Sequence, residues 1–246
     1  MNPEFVYPQW AAPARVHAFF STRKSGFSTG PYAGLNLGDH VGDDPLAVTK
    51  NRALISATLP GEPRWLKQVH GTRVALSASP SGAVADAAIS RVAGEVCVVM
   101  VADCLPVLFT DCEGSVVAAA HAGWRGLAAG VLERTLDEMG CAPGKTLAWM
   151  GPAIGPESFE VGPEVRAAFV GQSARAAEAF RPGREDRFLA DIFLLARQRL
   201  EGMGLRPDAI SGGGISTVTD PDRFYSYRRD GASGRMGAFI WIDAPS

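Results

Sequence analysis

Three apolar, β-favouring runs crowd into residues 96–120, and their spacing limits what this chain can fold into. Residues 96–102 (Val-Cys-Val-Val-Met-Val-Ala) carry no charge and are too few to span a bilayer, so they read as a central strand buried on both faces. Residues 105–110 and 115–120 flank Asp111-Cys112-Glu113-Gly114, a polar stretch with a glycine, and so predict a β-hairpin. If Thr110 faces Ser115, Cys104 comes opposite His121, with Cβ atoms about 4.5–5.5 Å apart. A zinc ion fits such a gap, given Zn–S near ~2.3 Å and Zn–N near ~2.0–2.1 Å.

The remaining periodicity alternates strands with helices. Strands are predicted at 15–21, near 64–69 and 72–76, at 146–150 and at 236–242. A helix capped by Asp43 or Asp44, with Pro45 in its first turn, runs to about Leu59. Others cover 126–139, stopped by Gly140, a segment opened by Gly162-Pro163, and 189–200. The glycine-rich segment from Ser25 to Asp44 is long for a connector and predicts a functional loop. This pattern gives an α/β fold with a mixed sheet, and no G-x-G-x-x-G follows a strand to suggest a parallel nucleotide-binding unit.

Length allows one large domain or two small ones, no repeat or linker divides the 246 residues, and the expectation is one domain over 1–246. A monomer is also expected. A net charge of −2 supplies no basic face for a nucleic-acid polymer. Neither a signal-peptide pattern nor a membrane span is visible. The four cysteines, Cys97, Cys104, Cys112 and Cys141, form no CxxC pair or small disulfide framework. A reduced, cytoplasmic setting is the expectation.

His70 ends a strand before Gly71, Cys104 precedes Leu105-Pro106, and His121 stands at the mouth of a helix. Two imidazoles and a thiolate give zinc three ligands and leave a fourth position open, as in catalytic sites. The residues alone leave two other readings. Cys104 could be a nucleophile activated by His70 or His121, with Asp86 or Asp103 orienting the base. Alternatively, the histidines are strand-end structural groups and the thiol is inert. Residues 224–231 (Phe-Tyr-Ser-Tyr-Arg-Arg-Asp-Gly) offer rings for a planar substrate and guanidinium forks for an anion, or else a surface strand with a solvated turn. Arg52 is an anion clamp or a solvated helix residue. Asn36 binds a sugar or base, or satisfies a turn.

Taken together these segments resemble the YfiH family, also called the laccase-domain or polyphenol-oxidase-like family. The resemblance rests on Ser21-Thr22-Arg23, Gly34-Leu35-Asn36-Leu37-Gly38, Val41-Gly42-Asp43-Asp44, Asn51-Arg52, Gln68-Val69-His70-Gly71 and Ala85-Asp86-Ala87. It continues in Ala102-Asp103-Cys104-Leu105-Pro106, residues 121–126 (His-Ala-Gly-Trp-Arg-Gly), residues 151–156, Phe159-Glu160-Val161-Gly162 and Ser226-Tyr227-Arg228-Arg229-Asp230. Ser216-Thr217 departs from the pattern, since many members carry a cysteine before that threonine. The resemblance implies a single-domain layered αββα sandwich with mixed β-sheets and a zinc on His70, Cys104 and His121. It also implies phosphorolysis of adenosine, inosine, guanosine and S-methyl-5′-thioadenosine by inorganic phosphate, and deamination of adenosine. Asn36, Gln68, Arg52 and Arg228 are the expected substrate contacts, the two arginines nearest phosphate or ribose. A multicopper centre needs many imidazoles and the chain has only His17, His40, His70 and His121, so copper is less expected than zinc. The family is also linked to editing of cytoplasmic peptidoglycan precursors, which leaves an amino-sugar hydrolase as the alternative.

Overall fold

The computed structural model describes residues 3–244. Its centre is two mixed sheets packed face to face. One runs in the order Phe5–Val6, Val16–Ser21, Met236–Ile242, Val96–Val101, Pro63–Arg64. The other runs Ile210–Gly212, Thr146–Met150, Leu105–Asp111, Val117–Ala122, Ala87–Ser90, Val74–Ala75. Glu160–Val161, Phe188–Ala190 and Phe180–Pro182 form a small third sheet.

Alternation along the strands explains the layering. In Val96–Val101, Cys97, Val99 and Val101 face the core between the sheets, where they meet Leu108, Val117, Ala119 and Trp149. Val96, Val98 and Met100 face outward, against Leu35, Leu37, Trp65 and Ile55. Ile55 belongs to the helix Pro45–Ser56, which covers that side. Across the molecule, Leu132 and Leu136 of Val131–Met139 and Leu195 and Leu200 of Ile192–Gly202 pack on Val107, Phe109, Ala118 and Ala120. The order helix, sheet, sheet, helix is the expected αββα arrangement.

Local signals placed most elements well. Asp44 caps the first helix by accepting from Leu46 N, with Pro45 following. Gly140 closes its helix at φ 62°. The departures have physical causes. The helix expected over 126–139 is two, Trp124–Ala129 and Val131–Met139, divided by Gly130 at φ 97°. The helix expected from 189 begins at Ile192 because Asp191 caps it, and Phe188–Ala190 is a strand. The strands near 64–69 and 72–76 shrink to Pro63–Arg64 and Val74–Ala75, since the chain between them leaves one sheet for the other.

The hairpin register also differs from expectation. Thr110 pairs with Val117 and Pro106 with His121, so Cys104 lies beyond the last pair, Leu105 with Ala122. Asp111 sets this wider loop: its carboxylate accepts from Ser115 N at 2.7 Å and Ser115 Oγ at 2.5 Å. Residues 224–231 are not a surface strand. Phe224 and Tyr225 are buried, and Ser226 caps the short helix Tyr227–Asp230.

Candidate active site

Two places where the chain crosses between the large sheets supply His70 and Cys104. His70 lies between Pro63–Arg64 and Val74–Ala75, and Cys104 between Val96–Val101 and Leu105–Asp111. His121, near the end of Val117–Ala122, completes the group. The three ligand atoms lie within 4.8 Å of one another, with Cys104 Sγ 3.7 Å from His70 Nε2. A metal ion can therefore reach all three.

Both crossings use uncommon backbone. His70 has φ 59° and Asp103 φ 81°, the left-handed region that non-glycine residues rarely occupy. Each crossing is held by a buried aspartate. Asp86 accepts from the backbone N–H of Val69, of His70 (2.8 Å) and of Gly71 (2.7 Å), and from His121 Nδ1 at 2.9 Å. One carboxylate thus fixes the turn carrying one imidazole and the ring of the other, leaving His121 Nε2 as that ring's available nitrogen. Asp103 accepts from Thr217 Oγ1 at 2.6 Å, Ser226 Oγ at 3.0 Å and Arg228 N at 2.7 Å, tying the Cys104 crossing to the 226–230 segment.

The electrostatics separate Cys104 from the other buried thiol. Burial pushes Cys97 up to about 12, leaving it an inert core residue. Burial also acts upward on Cys104, but His121 and then His70 outweigh it and hold that thiol down at about 6. For His121, burial acts downward, and Cys104 and Asp86 overcome it to bring the imidazole up to about 9. The two shifts are mutual, each group favouring the charged form of the other, and a metal ion bound there would compete with protons for the same atoms. All four cysteines are free.

Space for an ion is preserved by Gly123. A Cβ there would lie 2.6 Å from His70 Cδ2 and 3.0 Å from Cys104 Sγ. Two imidazoles and a thiolate suit a borderline-soft ion such as zinc. The other histidines stand apart: His17 Nε2 pairs with Asp243 at 2.6 Å, and His40 lies on the cleft rim beside Asp39.

The triad opens into a cleft of about 540 Å³, a volume suited to a small molecule. Gln68 and Arg228 are among the residues that line it. Gln68 also brackets Met100, donating to its carbonyl and accepting its N–H, each within 2.8 Å. Arg228 Nη1 donates to the carbonyls of Ser158 and Glu160. Asn36 and Arg52 are not among its lining residues. Asn36 is fully buried, and its amide serves Gly38, Asp43 and Arg235 N. Arg52 stacks on Trp65, donates to Leu37 O and pairs with Asp39 at 3.2 Å. The segment from Ser25 to Asp44 is correspondingly a braced frame whose contribution to the cleft is His40. Sequence reasoning missed Trp124, Arg125 and Arg235 as lining residues, while Tyr227 falls in the 224–231 segment offered to a planar substrate. The first two sit within the His-Ala-Gly-Trp-Arg-Gly segment, but no sequence spacing places Arg235 there.

A layered α/β sandwich that brings together a His–Cys–His cluster able to hold a metal ion defines the class, and the comparisons identify the family. The family described as multi-copper polyphenol oxidoreductase laccase matches residues 17–243, and this chain belongs to it. The chain is similar to the purine nucleoside phosphorylase of Pseudomonas aeruginosa, at 52% identity over 97% of this chain and 98% of that one. It is also similar to purine nucleoside phosphorylase YfiH of Escherichia coli, at 51% identity over 97% and 99%. Among solved structures, a Neisseria meningitidis protein superposes with a TM-score of 0.93 at 45% identity, covering 98% of this chain and 99% of that one.

Proposed function

We propose that this chain is a zinc-dependent purine nucleoside phosphorylase that also deaminates adenosine, working as a cytoplasmic monomer built as one catalytic unit over residues 1–246. Adenosine, inosine, guanosine and S-methyl-5′-thioadenosine are its substrates, with inorganic phosphate. The observation that carries the reading is the His70–Cys104–His121 cluster at the base of a nucleoside-sized cleft, in a chain about half identical to proteins named for this activity.

His70, Cys104 and His121 would hold the zinc, which would supply Lewis acidity when bound. The rest of the work falls to the chain. Phe159, Trp124 and Tyr227 present ring faces to a purine. Asp86 holds both imidazoles in place, and the arginines of the cleft favour an anion. In phosphorolysis a phosphate oxygen bonds to C1′ of the ribose as the C1′–N9 bond breaks. The purine departs with that electron pair and gains the proton that hydrogen phosphate gives up.

A second reading is favoured by one observation, the chain of contacts from Cys104 through His121 to Asp86, which is also the layout of a metal-free cysteine nucleophile. One experiment separates them. Zinc-loaded native protein and Cys104→Ala are given adenosine and inosine separately, with and without inorganic phosphate. Free base from inosine should require phosphate, inosine from adenosine should not, and Cys104→Ala should lose both along with its zinc. Full activity after rigorous zinc removal supports the cysteine nucleophile. No turnover of any purine nucleoside by the zinc-loaded protein sinks the proposal in favour of the amino-sugar hydrolase.

A further inference from the structure

The cleft is lined by three arginines, Arg125, Arg228 and Arg235, and among the described residues none of them has a carboxylate partner. Some arginines outside the cleft are paired, Arg52 with Asp39 and Arg229 with Asp230. The three are not equivalent. Arg125 is exposed and lies over its neighbour's ring, 4.4 Å from the Trp124 centroid. Arg228 is exposed and anchored outward to the carbonyls of Ser158 and Glu160.

Arg235 is half-buried, and its guanidinium is locked from one side only. Nη1 donates to the carbonyls of Ser233 (2.8 Å) and Gly234 (3.0 Å), with Ser233 Oγ at 3.4 Å. Nε and Nη2 have no protein partner among the described residues. Gly38 makes room for the stem, since a Cβ there would lie 2.8 Å from Arg235 Cγ. The position is also fixed relative to the triad. Arg235 directly precedes Met236, which pairs with Val101 at the end of the strand from which the chain turns to Cys104. Burial weakens the hold of this guanidinium on its proton, and the charges of Cys104 and then Asp103 act against that. A half-buried guanidinium with no carboxylate in direct contact is stabilised by a dianion in the cleft. The free edge of the fork matches two oxygens of one phosphate.

We propose that Arg235 is the residue that binds the inorganic phosphate co-substrate, seating it beside the His70–Cys104–His121 cluster. The inference rests on the phosphorylase reading above. It shifts the principal phosphate contact away from Arg52, which is committed to Asp39, and Arg228 becomes a rim contact.

The test uses zinc-loaded wild type, Arg235→Lys and Arg235→Gln, with zinc content measured for each. KM for phosphate is determined at saturating inosine, and KM for inosine at saturating phosphate. Loss of a bidentate charged contact should raise the phosphate KM by about 10-fold in the lysine variant and about 100-fold in the glutamine variant. The inosine KM should stay within about twofold, because only phosphate loses a partner. On unmodified protein, phosphate should protect Arg235 from phenylglyoxal, read by peptide mass spectrometry, so the inference does not depend on the variants folding. A wild type that turns over no inosine overturns the phosphorylase reading and this inference with it. An active wild type whose variants keep its phosphate KM, or lose zinc and both KM values together, overturns the assignment of Arg235 alone. Absence of protection by phosphate in an active wild type does the same.

Discussion

Asp111 and Asp86 are both buried aspartates whose carboxylates gather backbone N–H groups, yet they perform different tasks at the two ends of the same sheet. Asp111 closes its own loop, and its partners, Ser115 and Val116, lie within five residues. Asp86 gathers Val69, His70 and Gly71 from one crossing and His121 from a strand 35 residues away. Asp103 reaches further, to Thr217, Ser226 and Arg228. A carboxylate that caps a local turn sets a register. A carboxylate that joins distant segments builds a site, and the left-handed backbone at His70 and Asp103 sits where such carboxylates hold the chain.

The largest separation between the two ends should come from Asp86→Ala. It strands three N–H groups and the ring of His121, so stability should fall by at least about 3 kcal/mol in urea titration. Metal affinity should fall by about 10–100-fold, measured by competition with a chromogenic chelator. An Asp86→Ala protein that keeps both would erase the distinction from Asp111.

Gly123→Ala should have a smaller effect, confined to the site. Its methyl group meets His70 and Cys104, so metal affinity should drop at least about tenfold while the melting temperature shifts by only a few degrees. Unchanged metal affinity would mean that the triad has more room than its distances indicate.

A pH titration sharpens the comparison further. Burial acts to raise the Asp86 carboxyl, but the hydrogen bond from His121, those of the backbone and the charge of His121 together hold it below the usual carboxylate range. A group lowered on folding adds stability that is fully present above its unfolded value near ~3.9 and is lost as pH falls through the folded value. Acid titration of wild type against Asp86→Asn should therefore show the stability gap closing below about pH 4. A gap that persists unchanged down to pH 2 would contradict the charged role of Asp86. The smallest effect belongs to Asp111→Asn, which should cost about 1 kcal/mol and leave the catalytic rates at wild-type values.

The sequence by itself determined what depends on neighbours a few residues apart. Residues 96–102 had to be a strand buried on both faces, Asp44-Pro45 had to open a helix, and Gly140 had to close one. The residue types of the triad were legible too, because two imidazoles and a thiolate at strand ends are an uncommon set, and the segments carrying them mark the family. Tertiary structure alone decided the hairpin register, the inward turn of Asn36, the commitment of Arg52 to Asp39 and the arrival of Arg235 at the cleft. The reason is one of range. Periodicity and capping act over about four residues along the chain, whereas these side chains are aimed by two sheets packing face to face, which joins residues as distant as Asn36 and Arg235, 199 positions apart.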